Sequence, residues 1–136
     1  MPARILLIDD NAANLELMSY LLKAFGHVPT EAADGSAGLQ LALEDTYDLV
    51  LTDVLMPRLD GYEVVRRLRS DPLKRSTKVL AVTALAMVGD RERILAAGFD
   101  GYIAKPLDPE TFVRDIDRFL PLPLRSGSPP EQAAES

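Results

Sequence analysis

The chain has 136 residues, of which 47% are hydrophobic and 26% charged, with a formal net charge of −6 and no cysteine. That length suits one domain, and the balance of apolar to charged residues is that of a folded globular chain rather than a disordered one. The negative charge disfavours nonspecific nucleic-acid binding, the lack of cysteine excludes disulfides and thiolate metal sites, and no run approaches the roughly 20 apolar residues that span a bilayer. Met1 to Arg4 leads into an apolar run of only four residues, without the h-region of a secretory signal, so a cytoplasmic location is expected.

Strand-like and helix-like periodicities alternate along the chain. Ile5-Leu6-Leu7-Ile8 is a continuous apolar run, as expected of a strand buried on both faces. Leu15, Met18, Leu22 and Phe25 recur at helical spacing, and Gly26 closes that helix. Val28 to Ala32 reads as a second strand, placed at a sheet edge by Pro29, which has no N–H to donate. Asp34-Gly35 turns into a helix carrying Leu39, Ala42 and Leu43, and Tyr47 to Thr52 is a third strand. After the loop Val54 to Leu59, Asp60 and Glu63 form a capping-box pattern for a helix to about Ser70, with Val64, Val65 and Leu68 inside. Lys78 to Thr83 is a fourth strand. Ala84 to Ala97 is a helix anchored by Ile94 and Leu95 and stopped at Gly98, and Gly101 to Lys105 is a fifth strand. Asp108 caps a last helix, with Pro109 at its first position and Phe112, Ile116 and Phe119 on its buried side. A domain over residues 1–121 is expected, followed by a disordered tail, 122–136, rich in Pro, Ser and Gly.

Five βα units imply an α/β fold: a doubly wound, five-stranded parallel sheet with helices on both faces. Right-handed crossovers leave few topologies, and the flavodoxin-like strand order 2-1-3-4-5 is the commonest for five strands; in it ligands bind beyond the carboxyl ends of the strands at the switch point between the first and third. Asp9, Asp10, Asp53, Thr83 and Lys105 all fall at such ends. Two carboxylates about 4 Å apart repel by roughly 4 kcal/mol at an effective dielectric near 20, so gathering three of them calls for a cation. Mg2+ accepts such oxygens, a lysine adds positive charge, and one carboxylate can form an aspartyl-phosphate.

Four segments in order carry a resemblance to a known family: Ile5-Leu6-Leu7-Ile8-Asp9-Asp10-Asn11, Asp53 to Gly61, Val82-Thr83-Ala84 and Tyr102-Ile103-Ala104-Lys105-Pro106. Over roughly residues 3 to 120 the chain resembles a response-regulator receiver domain of two-component signalling, here a single-domain response regulator. The resemblance implies Asp53 as phospho-acceptor, Asp10 as direct Mg2+ ligand with Asp9 assisting, and a Leu55 backbone carbonyl on the metal. It implies Thr83 as the switch hydroxyl, Tyr102 as the aromatic that follows it, and Lys105 as the phosphate-contacting lysine. The Lys105-Pro106 bond is expected to be cis, as X-Pro bonds permit.

The phosphoryl donor so implied is a phosphohistidine on a sensor histidine kinase or histidine phosphotransfer protein. The output is contact between the face of the fourth helix, fifth strand and fifth helix and a downstream protein target, without nucleic acid or membrane insertion. Such a protein is not an enzyme but assists its own phosphorylation and dephosphorylation. Apolar Leu55 and Leu85 beside the route of hydrolytic water predict a long-lived phosphoryl group.

Two other classes fit parts of the pattern. An aspartyl-nucleophile Mg2+ phosphatase would carry an acid two residues after Asp53, where this chain has Leu55, and would need an insertion to enclose a small substrate. A phosphorylation-independent interaction module would not need the intact acid set with Lys105. A flavin-phosphate protein is disfavoured by acids where a phosphate loop should sit. The basic cluster Arg66, Arg67, Arg69, Lys74, Arg75 and Lys78 reads as a solvated face or, secondarily, a docking patch. The lone His27 reads as surface or packing.

Overall fold

Ten elements alternate as expected in the computed structural model, which describes residues 2–84 and 88–121. The strands are β1 (Arg4–Ile8), β2 (Val28–Ala32), β3 (Leu49–Thr52), β4 (Val79–Thr83) and β5 (Gly101–Ala104). The helices are α1 (Ala12–Ala24), α2 (Gly35–Glu44), α3 (Gly61–Ser70), α4 (Val88–Ala96) and α5 (Phe112–Asp117). The expectations for Leu85 and for the tail 122–136 lie outside the described residues.

The strands form one parallel sheet in the order β2-β1-β3-β4-β5, with β2 and its Pro29 at an edge. Successive strand residues point to opposite faces, so each central strand feeds two apolar layers. Ile5, Leu7, Leu49, Leu51, Leu80 and Val82 meet Leu15, Met18 and Leu22 of α1 and Phe112, Val113 and Ile116 of α5. Leu6, Ile8, Val50, Val79 and Ala81 meet Leu39 and Ala42 of α2, Val64, Val65 and Leu68 of α3, and Ile94 of α4. Strands buried on both sides are therefore continuous apolar runs, and the 2-1-3 step reverses the winding between β1 and β3.

Several local expectations differ from the structure. Tyr47 and Asp48 precede β3 rather than belonging to it, although Asp48 N–H still donates to the Arg4 carbonyl at 2.8 Å. At α3 the Asp60 side chain accepts from Glu63 N–H at 2.9 Å, but the reciprocal half of the capping box is missing. The Glu63 carboxylate instead takes Arg66 and Arg67, a pairing of full charges that outcompetes a backbone donor. Among the described side chains of α4 Ile94 is buried, while Leu95 is 52% exposed and Phe99 fills the second apolar place. Asp108 does not cap α5 directly. Its side chain accepts from Glu110 N–H, closing a local turn over 108–111, and the regular helix begins at Phe112.

His27 is packing rather than surface: it is 4% exposed, and its Nδ1 accepts the Ala3 N–H at 3.2 Å. The neutral ring therefore carries its proton on Nε2, which faces Asp117 Oδ1 at 3.7 Å. Burial lowers the pKa of His27 below its ordinary value, against the opposing pull of Asp117. The unfolded chain then binds the extra proton more readily than the folded one. Stability is complete above the unfolded value of about 6.5 and falls as pH drops toward the depressed folded value. His27 is the only histidine. Urea unfolding of wild type between pH 8 and pH 5 is expected to show this loss, and the His27→Gln protein to lack it; parallel pH profiles would contradict the assignment.

Candidate phosphoryl-accepting site

The sheet register brings the acids together. Ile8 pairs with Thr52 across β1 and β3, so Asp9 and Asp53 are neighbours one residue beyond the strands, and Asp53 N–H donates to the Ile8 carbonyl at 2.9 Å. Thr83 pairs with Ala104 across β4 and β5, and Lys105 N–H donates to the Thr83 carbonyl at 2.8 Å. One carboxylate oxygen from each of Asp9, Asp10 and Asp53 lies within 4.8 Å of the others. Lys105 Nζ closes the group at 2.8 Å from Asp53 Oδ2 and 3.0 Å from Asp9 Oδ2. The Lys105-Pro106 bond is cis, as expected.

The three acids differ in setting. Asp9 is fully buried and Asp53 nearly so, while Asp10 is exposed. Burial raises the pKa of Asp9, partly opposed by the Asn11 N–H on its Oδ1 and by Lys105. Burial would lower Lys105, but its hydrogen bond to Asp53 and its ion pair with Asp9 outweigh this and raise its pKa, so the ammonium is kept charged. Asp53 Oδ1 accepts from Leu55 N–H at 3.2 Å, which turns the acid toward the centre of the group. The first helix is capped by Asn11, whose side chain accepts from Asn14 N–H, so neither Asp9 nor Asp10 is spent on capping. An Asn directly before a helical pattern was the available signal for that role.

The residues fit a divalent cation. Asp9 Oδ2 is buried and close to Lys105, yet accepts no well-aligned hydrogen bond, leaving a buried oxygen short of a partner. Three carboxylates against one ammonium leave two negative charges uncompensated, the charge that one Mg2+ neutralises. The two other predicted site residues lie on β4 and β5. Thr83 is fully buried at the end of β4 beside Lys105, whereas Tyr102 pairs with Ala81 deeper in the sheet and packs against the layer under α3 and α4. The loop after Asp53 is pinned by Val54 and Met56, both buried, while Leu55 between them is 58% exposed.

The fold and this site define a receiver domain. The chain matches the response regulator receiver domain family over residues 5–117 and belongs to it. It is 38% identical over 120 residues to the polar-differentiation response regulator DivK of Brucella anthropi, covering 88% of this chain and 98% of that protein. The chemotaxis response regulator CheY4 of Vibrio cholerae superposes with a TM-score of 0.83 at 29% identity, over 88% of this chain and all of that one. The receiver domain of the sensor histidine kinase PA1611 from Pseudomonas aeruginosa, solved with a magnesium ion coordinated in its active-site cleft, superposes with a TM-score of 0.79. It is 34% identical, over 94% of this chain and all of that one.

Gly61 is a requirement of this site that composition alone does not reveal. A Cβ there would lie 2.3 Å from the Asp53 carbonyl oxygen and 2.9 Å from Val54 Cα, both backbone atoms that cannot rotate away. Gly61→Ala is expected to destabilise by about 1–3 kcal/mol, as overpacking does, despite the better helix propensity of alanine. An unchanged urea midpoint would show that the loop moves aside without cost.

Proposed function

We propose that this protein is a single-domain response regulator whose Asp53 accepts a phosphoryl group from a phosphohistidine of a histidine kinase or phosphotransfer protein. The observation that carries this reading is the buried pairing of Lys105 with Asp53 and Asp9 beside exposed Asp10, at the switch point of the sheet. An Asp53 carboxylate oxygen attacks phosphorus in line, the P–N bond breaks, and the imidazole leaves with a proton. Lys105, already within hydrogen-bond reach of Asp53, then holds a phosphoryl oxygen in place of the carboxylate.

Asp10, Asp9, Asp53 and the Leu55 carbonyl would hold Mg2+, which when bound neutralises charge on the transferring group. Thr83, buried one strand from Asp53, supplies the hydroxyl that reads the new charge. Its movement and that of Tyr102 bias the α4-β5-α5 face toward a downstream protein, a population shift between two arrangements of one fold. The protein is an acceptor that assists its own loading and unloading rather than a turnover enzyme, and it works in the cytoplasm. Among the described residues no helix is long and apolar enough to cross a membrane. The apolar Leu55 side chain beside Asp53 offers attacking water no hydrogen bond, which favours a long-lived aspartyl-phosphate.

Incubation with a radiolabelled phosphorylated histidine kinase and Mg2+ is expected to label wild type and leave Asp53→Asn unlabelled. Label that persists on Asp53→Asn would refute the acceptor. Mg2+ binding is tested without phosphoryl transfer, by thermal unfolding. At about one hundred times its dissociation constant Mg2+ should stabilise wild type by about 2.7 kcal/mol, and Asp10→Asn should lose most of that gain. Equal stabilisation of the two proteins would remove Asp10 from the metal site.

A further inference from the structure

Tyr102 is a half-buried aromatic on β5 that packs against the layer containing Ile94 and Phe99, beside Tyr62 and Ala97. Over its ring lies the guanidinium of Arg91, one turn into α4, with Cζ 5.6 Å from the ring centroid. Arg91 is exposed and forms no ion pair with any of the described residues, so this stack is its one specific contact there. The arginines of α3 are engaged otherwise: Arg66 and Arg67 hold Glu63, and Arg69 holds Asp100. A cation over an aromatic face is attracted by the negative face of the ring, and the attraction depends on charge and orientation as well as on buried area.

The position of the pair gives this contact a consequence. Tyr102 and Ala104 lie on the same sheet face, and Ala104 pairs with Thr83 at the edge of the phosphoryl-accepting site. In the observed arrangement Lys105 binds the Asp53 carboxylate itself, while Arg91 caps the Tyr102 ring. A contact made in one of two arrangements and lost in the other biases the equilibrium by its full worth.

We propose that Arg91 is a positioning residue, a cationic latch that holds Tyr102 in the arrangement where Lys105 pairs with the free Asp53 carboxylate. The latch opposes loading of Asp53 until the ring moves. This rests on the reading of Asp53 as phospho-acceptor. Because Arg91 is exposed on α4, an acidic partner that takes its guanidinium would release the ring and favour loading, and loading would in turn favour that partner.

The test uses the full chain labelled with ring-13C tyrosine and titrated with beryllofluoride in the presence of Mg2+, with the Tyr102 resonance assigned through Tyr102→Phe. Arg91→Met keeps a long side chain and removes the charge; Arg91→Lys keeps the charge. Arg91→Met is expected to shift the Tyr102 ring resonance before any beryllofluoride is added, and to bind beryllofluoride about two- to fivefold more tightly than wild type. Arg91→Lys is expected to fall between the two. An Arg91→Met protein with wild-type or weaker affinity, or with an unmoved Tyr102 resonance, would overturn the latch. So would an Arg91→Lys affinity equal to that of Arg91→Met. Wild type that binds no beryllofluoride would overturn the acceptor reading and the latch together; normal wild-type binding with an unaffected Arg91→Met overturns the latch alone.

Discussion

Lys105 Nζ lies 2.8 Å from Asp53 and 3.0 Å from Asp9, both acids are buried, and removing the lysine strands two carboxylates away from water. This arrangement fixes much of the surrounding structure. Lys105 follows β5 and Asp53 follows β3, with β4 between them, so the ammonium must reach across about two strand spacings of ~4.8 Å each. Only a long side chain manages that. The residues at the end of the intervening strand must also stay small, and there the chain places Thr83 and Ala84. Burial and function conflict at this point: apolar strands form the sheet, and the same strands carry carboxylates to a place where water can no longer screen them. A divalent cation held by these acids would relieve that conflict.

The fold was legible because its signals are periodic and redundant. Continuous apolar runs, an edge proline and helical stripes each pointed to the same five βα units; handedness narrowed the strand orders, and the commonest of those left is the one observed. The acids and Lys105 were legible for a related reason, since each ends a buried run and a parallel sheet gathers such ends. Other features depended on competition between groups that sequence spacing does not rank. Asp60 and Glu63 had the spacing of a reciprocal cap, but Arg66 and Arg67 claimed the Glu63 carboxylate. Ile94 and Leu95 were equally apolar, and only the rotation of α4 decided that Ile94 is inside. His27 had no sequence neighbour to mark it as buried. Its partners, Ala3 and Asp117, come from the two ends of the described chain.

The basic cluster shows how a charge pattern loses its apparent meaning once the chain folds. Arg69 reaches from α3 to the carbonyls of Arg75, Thr77 and Gly98 and to the Asp100 carboxylate. Asp100 also accepts the Val79 N–H at the start of β4. Lys74 Nζ donates to the Asp45 carbonyl. Two of the six residues that read as a positive face, Arg69 and Lys74, are thus structural cross-links between loops at the amino ends of the strands, opposite the site.

The Arg69 contacts also bear on how α4 can move. They secure the chain at Gly98 and Asp100, just beyond the carboxyl end of that helix, whereas Val88 at its other end is the one nearer Thr83 in the chain. A nine-residue helix is about 13 Å long, and one anchored at its far end answers a push near Thr83 by pivoting rather than sliding. Displacement would then be greatest at the Val88 end and fade toward Gly98. Held in this way the helix would act as a lever with its fulcrum at Arg69, and a small change beside Thr83 would become a change of angle across an exposed surface.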